Sequence, residues 1–367
     1  VSALRVDGRS LRRFYSDALR ASGVRSDHAE IVADGVYYAD LHGLDSHGSQ
    51  VFLRLYLGMV EAKTVDVLTE PVVAVSDHAC AVVDGRNTLG FVVGMFAMEQ
   101  AVLRARQYGV GAVAVRNSSH AGAMGFYCAA ARRAGMLGMA FTNLGIQGML
   151  APPGGAKPIV GTNVLAASAP SGAEAPFNLD MSTAVVSAGR VRLAERQGRS
   201  IPAGWLADAD GGDVTDPSAL DRGTARLRFL GGRAETGAHK GFGLALLADV
   251  LSGLLSGAAV GPTPGKLTDE RPQTGRVDAG IGHFFLALRI GAFCEEEQFR
   301  TRMDETLATI RLCPPVPGVE QVSYPGLPES SAGEQRASSG VPMGEVLFGA
   351  LEAAAARLGV DPPAMLR

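Results

Sequence analysis

Charge, aromatic side chains and cysteine are all sparse in this chain. Asp, Glu, Lys and Arg make up only 19% of its 367 residues, with a formal net charge of −3. There is no basic run and no interleaving of aromatic with basic residues, which argues against nucleic-acid binding through phosphate contacts. The cysteines (Cys80, Cys128, Cys294, Cys313) lie far apart and share no metal-ligand spacing. That pattern fits free thiols in a reducing cytoplasm better than a disulfide frame. No apolar run is long enough to span a bilayer: the longest, 244–260, is interrupted by Asp249. The first residues lack the apolar core of a signal peptide, so the expectation is a cytoplasmic protein with no membrane partner. Two nucleotide signatures are also missing. Gly241-x-Gly243 runs into Leu-Ala-Leu, Gly109-x-Gly111 precedes a strand pattern instead of following one, and no Walker lysine loop occurs. An ordinary Rossmann site is therefore unsupported.

The chain does have apolar residues in quantity, 47% of the total, together with 47 glycines. This is enough for a large core with closely packed elements, and the length suggests roughly two domains. The first sixty residues read as helical. Leu11, Phe14 and Leu19 form one stripe that ends at Ala21-Ser22-Gly23, and Asp27 with Glu30 makes a capping-box pattern for the next helix. Ser46 is the expected N-cap of a third helix carrying Phe52, Leu53 and Tyr56, which would put His47 in its first turn.

From residue 71 the pattern becomes α/β. Strands are expected over 72–75, 79–83, 111–115, 136–142 and 164–169, with one near 175–179 and an alternating one over 284–290. Helices are expected over 90–108, 126–134, 237–258, 295–310 and 344–358, loop over 143–161, and a mobile stretch over 330–340.

Two histidines carry most of the chemistry. His47 lies in His42-Gly43-Leu44-Asp45-Ser46-His47-Gly48, and His120 in Asn117-Ser118-Ser119-His120-Ala121-Gly122. Each sits in a short small-residue loop ahead of a helix, and His120 follows a strand directly. Such loops are where α/β proteins place ligands, and an imidazole there can move a proton near neutral pH. His42, Asp45 and His47 could be taken for metal ligands, but their spacing across a bend does not converge on one point, and no metal is expected. Lys240 stands between glycines at a helix start, where a lysine can reach an anion held by free N–H groups or simply be solvated. Asp180 ends a strand, and could accept from a ribose hydroxyl or cap a helix.

Taken in order, a longer set of segments resembles the type 2 malate/L-lactate dehydrogenase family. That family also includes ureidoglycolate, sulfolactate and diketogulonate oxidoreductases and the piperideine/pyrroline-2-carboxylate (ketimine) reductases. The segments are Ser46-His47-Gly48; Ser119-His120-Ala121-Gly122; Ala151-Pro152-Pro153-Gly154-Gly155 with Gly161-Thr162-Asn163; Leu179-Asp180-Met181-Ser182-Thr183; Ile201-Pro202-Ala203-Gly204-Trp205; Thr215-Asp216-Pro217; Ala238-His239-Lys240-Gly241-Phe242-Gly243-Leu244; and Gly282-His283-Phe284-Phe285.

The resemblance implies an α/β fold with a non-Rossmann NAD(P)-binding sheet domain of the L-sulfolactate dehydrogenase-like type over 76–319. It also implies a helical substrate and dimer domain formed by 1–75 plus 320–367. The partners would be a small-molecule substrate and a second copy in a homodimer, and the cofactor NADPH or NADH. His47, His120 and Ser46 would be catalytic. Asp180, Met181, Ser182, Lys240, Thr162, Asn163 and His239 would bind the cofactor. The reaction would pass hydride to or from a 2-oxo/2-hydroxy acid, with cyclic ketimine reduction as the alternative.

This chain departs from the family pattern in three places. Relatives usually carry an arginine for the substrate carboxylate where this chain has Val51, and Arg54, a turn away, is the expected replacement. Val164 replaces a usual proline, and the 144–148 loop is longer by about two residues. All three changes point to a specialised substrate.

Overall fold

The computed structural model describes residues 4–267 and 280–366. In chain order the strands are β1 (Leu4–Val6), β2 (Val72–Asp77), β3 (Cys80–Asp84), β4 (Val110–Ser118), β5 (Met136–Thr142) and β6 (Val164–Ala169). They continue with β7 (Phe177–Ser182), β8 (Leu206–Ala207), β9 (Asp213–Val214), β10 (Arg226–Leu227), β11 (Ile281–Arg289) and β12 (Val341–Met343). Seven of them form a mixed sheet in the order β2-β3-β4-β11-β5-β6-β7. β3 and β4 are parallel, whereas β11 runs antiparallel to both β4 and β5. A strand from late in the chain is thus wedged between the two strands of the expected strand–loop–helix–strand unit. Together the sheet and its covering helices make a mixed α/β fold.

The helix Gly90–Tyr108 covers β4. Gly111 makes that fit possible, because a Cβ there would lie 1.9 Å from the carbonyl oxygen of Ala101. Gly90 serves the same purpose at the other end. A Cβ on it would meet the carbonyl oxygens of Ser119 and His120, and its N–H donates to Ser119 Oγ at 2.8 Å. The helix start therefore seats the His120 loop. Asn117, at φ 53°, turns β4 into that loop, and its amide donates to Asp84. Asparagine is among the few side chains that tolerate this backbone region.

The helices Gly8–Ala21 and Ser26–Leu41 pack on each other, and Glu345–Leu358 packs on the first of them. β1 pairs with β12. One continuous apolar core joins these helices to the main sheet, from Phe14, Tyr15 and Phe52 to Phe91, Val113 and Phe285. A second core, built on Leu150, Val191, Leu206 and Phe229, underlies the three-stranded sheet β10-β8-β9.

Several local expectations need correction. The capping box at Asp27 and Glu30 does not form: Arg25 is at the cap position without a side-chain bond, and Glu30 is taken by Arg12 and Ser16. Residues 330–340 are not mobile chain but most of a helix, Leu327–Ser339. Its first turn is closed by Glu329 accepting from the Gly326 N–H, and its last by Arg336 reaching across to Asp40 and Asp45. The third helix begins at Ser49 with Gly48 at the cap, so Ser46 does not cap it and His47 lies in the turn before it. That helix widens into a π-turn over Phe52–Leu57 before Gly58–Glu61. None of the helices described is long and apolar enough to cross a membrane.

Candidate active site

A cleft of about 720 Å³ gathers the carboxyl ends of β4, β5 and β7 under the loop that carries His47. Ser46 and His47 line it, followed by Val51 and Arg54 from the next helix, and His120 through Ala123. The opposite side is formed by Thr142, Asn143 and Leu144, by Thr162 and Val164, and by Asp180, Met181 and Ser182. The helix Ala188–Arg196 closes it with Ser187 to Gly189, Arg192 and Arg196. Two histidine loops 73 residues apart in sequence therefore share one cavity.

The imidazoles of His47 and His120 stack with centroids 5.9 Å apart and 18° between planes. Ser46 Oγ is 2.9 Å from His47 Nδ1. His120 Nδ1 receives the backbone N–H of Gly122 at 3.2 Å and lies 3.2 Å from the hydroxyl of Tyr56. A backbone N–H can only donate, so neutral His120 carries its proton on Nε2. Burial pulls the pKa of His47 down. His120 falls to about 3, mainly through burial, with His47, His283 and Arg54 adding to the effect. His120 is thus a neutral hydrogen-bond donor, and His47 is the more readily protonated of the two.

A third histidine lies beneath them. His283, fully buried on β11, bridges Thr142 Oγ1 at 2.7 Å and Ser118 Oγ at 2.8 Å. The two hydroxyls also donate to backbone carbonyls, Thr142 to Asn143 and Ser118 to Ser119. His283 holds the ends of β4 and β5 in register across β11. Burial lowers its pKa to about 3, so it stays neutral.

The residues expected at the cofactor divide into two groups. Asp180, Met181, Ser182 and Thr162 line the cleft. One oxygen of Asp180 accepts the Gly125 N–H at 2.7 Å, so this carboxylate caps the helix Gly125–Arg133 from a different strand. Burial raises its pKa to about 6. Asn163 is buried behind the cleft, where its amide donates to the Ala245 carbonyl at 2.9 Å. His239 and Lys240 are exposed in the first turn of the helix Ala238–Ala248 and do not line the cleft. His42, Asp45 and His47 do not converge as a ligand set: His42 Nδ1 bonds the Tyr38 carbonyl, and Asp45 pairs with Arg336.

Sequence reasoning missed Tyr56, which looks like another apolar stripe residue, and gave His283 and Thr142 no role. It also missed the charge balance of the cleft. Among the described residues lining it, Asp180 is the only carboxylate, against Arg54, Arg192 and Arg196. Arg192 is paired with Asp221, whereas Arg54 and Arg196 have no carboxylate within ion-pair distance among the described residues. Arg190 lies instead over the ring of Trp205, outside the cleft lining.

Comparison with known proteins identifies the family. The family model for malate/L-lactate dehydrogenase matches residues 6–352. Malate dehydrogenase from Pyrococcus abyssi is 34% identical over 97% of this chain and 96% of its own length. Ureidoglycolate dehydrogenase (NAD(+)) from Escherichia coli O157:H7 is 30% identical, over 92% of each chain. The solved structure of sulfolactate dehydrogenase from Methanocaldococcus jannaschii superposes with a TM-score of 0.84 at 31% identity, covering 98% of both chains. This chain belongs to the malate/L-lactate dehydrogenase family of NAD(P)-dependent oxidoreductases.

Proposed function

We propose that this protein moves hydride between a nicotinamide cofactor and the C2 carbon of a 2-oxo or 2-hydroxy acid, with His47 exchanging the proton on the substrate oxygen. The observation that carries this reading is the stacked His47–His120 pair facing Asp180, Met181 and Ser182 across one cleft. The residues present suit NADH or NADPH. The volume lies in the range of cofactor and ligand sites, Ala121, Gly122 and Ala123 leave one wall free of bulk, and the arginines offset phosphate charge. Thr162, Asp180, Met181 and Ser182 would hold it. Once bound, the cofactor supplies or accepts the hydride.

The chain's own residues do the rest. His120 presents its Nε2–H to the carbonyl oxygen and so stabilises negative charge developing there. His47, oriented by Ser46, delivers the proton in reduction and removes it in oxidation. Arg54 holds the substrate carboxylate in the place vacated at Val51. Residues 76–319 form the cofactor-binding unit, built on a sheet unlike the Rossmann type, and 1–75 with 320–367 form the helical unit. Two copies associate through the apolar face formed by Leu247, Val250 and Leu254, which are 44%, 47% and 64% exposed. The exposed free thiols Cys80, Cys294 and Cys313 suit the cytoplasm.

The test is NADH and NADPH titration followed by turnover at 340 nm against 2-oxo acids and cyclic imines. In His47→Ala, kcat should fall about 10²- to 10⁴-fold with cofactor affinity unchanged. Turnover within a few-fold of wild type would remove His47 from the proton step. Preference for a cyclic imine would move the substrate class to ketimines.

A further inference from the structure

The residue that fixes the entry to the third helix comes from outside that helix. Gly48 occupies the cap position and has no side chain to offer. Asp40, from the last turn of Ser26–Leu41, takes over that function. Its Oδ1 accepts the Ser49 N–H at 2.8 Å and the Ser49 hydroxyl at 2.9 Å. Its Oδ2 accepts the Tyr15 hydroxyl at 2.6 Å, and Tyr15 and Ser49 are themselves 2.7 Å apart. The fit is close: a Cβ on Gly48 would lie 2.0 Å from Asp40 Oδ1. On the outer side Arg336 donates to the Asp40 carbonyl and to the Asp45 carboxylate. The intervening loop is folded by Leu44 N–H to Ala39 and His47 N–H to Leu44. His47 is thus two residues from a backbone N–H, that of Ser49, held by the carboxylate of Asp40, a residue only 3% exposed.

We propose that Asp40, with Tyr15 as its hydrogen-bond donor, is the positioning residue for His47, setting where its imidazole stands in the cleft. This rests on the reading of His47 as the proton-exchange group. A buried carboxylate is costly to desolvate and adds little net stability by itself. Here burial pushes its pKa up to about 6 even though Tyr15 and Ser49 favour the charged form. Its value lies in geometry, since displacement of a reacting group by about 1 Å can reduce the rate about 10²-fold. The ionisable groups that act on it are Tyr15 from the first helix, Tyr37 from its own helix and Asp45 from the loop, while Arg336 reaches its main chain.

The experiment compares Tyr15→Phe and Asp40→Asn with wild type, reading cofactor affinity by fluorescence and kcat against pH. In Asp40→Asn, kcat should fall about tenfold or more with the cofactor dissociation constant within about twofold. In Tyr15→Phe, the acid limb of kcat/KM should move upward by about half to one pH unit, because a carboxylate that has lost a donor holds its proton more tightly. A change in stability alone would move neither quantity. Both variants keeping wild-type kcat and an unmoved acid limb would overturn the proposal. If Asp40→Asn does not fold, the acid limb of Tyr15→Phe decides by itself. His47→Ala, measured alongside, separates the two readings. Turnover surviving there sinks the proton-exchange role and this proposal with it, whereas turnover lost there with both network variants normal sinks only the positioning role.

Discussion

The rings of His47 and His120 lie nearly parallel with 5.9 Å between centroids, and the nearness of His47 adds to the burial that lowers the pKa of His120. Two imidazolium ions at this distance repel, so the pair carries at most one added proton near neutral pH. The hydrogen bond from Gly122 to His120 Nδ1 breaks the symmetry between them. His120 is locked as an Nε2–H donor, and in the proposed reaction the proton that moves belongs to His47.

The two histidines should therefore respond differently to replacement by glutamine. His120→Gln keeps an N–H donor and should retain activity within about tenfold of wild type, whereas His47→Gln should lose about 10²- to 10⁴-fold in kcat. The check is steady-state turnover of both variants at saturating cofactor. The reverse order of damage would assign proton exchange to His120.

Arg54 is exposed, lines the cleft and has no carboxylate partner among the described residues. Arg54→Ala should lower kcat/KM about 10- to 100-fold for a substrate bearing a carboxylate, through KM, with the cofactor dissociation constant unchanged. An unchanged KM across a panel of 2-oxo acids would mean that Arg196 or Arg192 holds the carboxylate instead.

His283 links folding stability to pH. Its folded pKa of about 3 is below the ordinary 6.5, so between those values the unfolded chain binds more protons than the folded one. Its contribution is intact above about pH 6.5 and is lost as pH falls toward 3. Asp40 and Asp180 act in the opposite sense, because their folded pKa values of about 6 exceed the ordinary 3.8. The urea midpoint of wild type should fall between pH 7 and pH 5 by more than that of His283→Asn. Equal slopes would show that His283 does not remain neutral in the folded protein.

The face formed by Leu247, Val250 and Leu254 predicts a separate outcome. If two copies associate through this face as proposed, wild type should sediment as a dimer and Leu254→Glu as a folded monomer at the same concentration, read by sedimentation velocity with circular dichroism as the control for folding. A dimer of unchanged affinity would place the interface elsewhere.

Much of the fold was legible in the sequence because the signals are local. The helix Gly90–Tyr108 and the strands Met136–Thr142 and Val164–Ala169 match the expected spans residue for residue. Periodicity and bounding glycines are properties of neighbouring residues. The same holds for the two histidine loops, whose small residues and placement before helices needed no tertiary information.

Other features depended on partners far away in sequence. Ser46 looked like the cap of the third helix, but Asp40 holds the Ser49 N–H. Asp180 caps a helix that begins 55 residues earlier. Residues 330–340 carry little apolar character, yet they form a helix tied down by Arg336 to the loop before His47. His283 reaches Ser118 across 165 residues because β11 inserts between β4 and β5. The sequence by itself determined most of the long helices and the strands of the main sheet, and which loops carry imidazoles, since backbone propensity and amphipathic period act over a few residues. Only the tertiary structure decided which imidazole is the neutral donor, which carboxylate seats the other, and which arginines face the cleft. Those outcomes depend on burial and on hydrogen-bond partners that sequence neighbours do not supply.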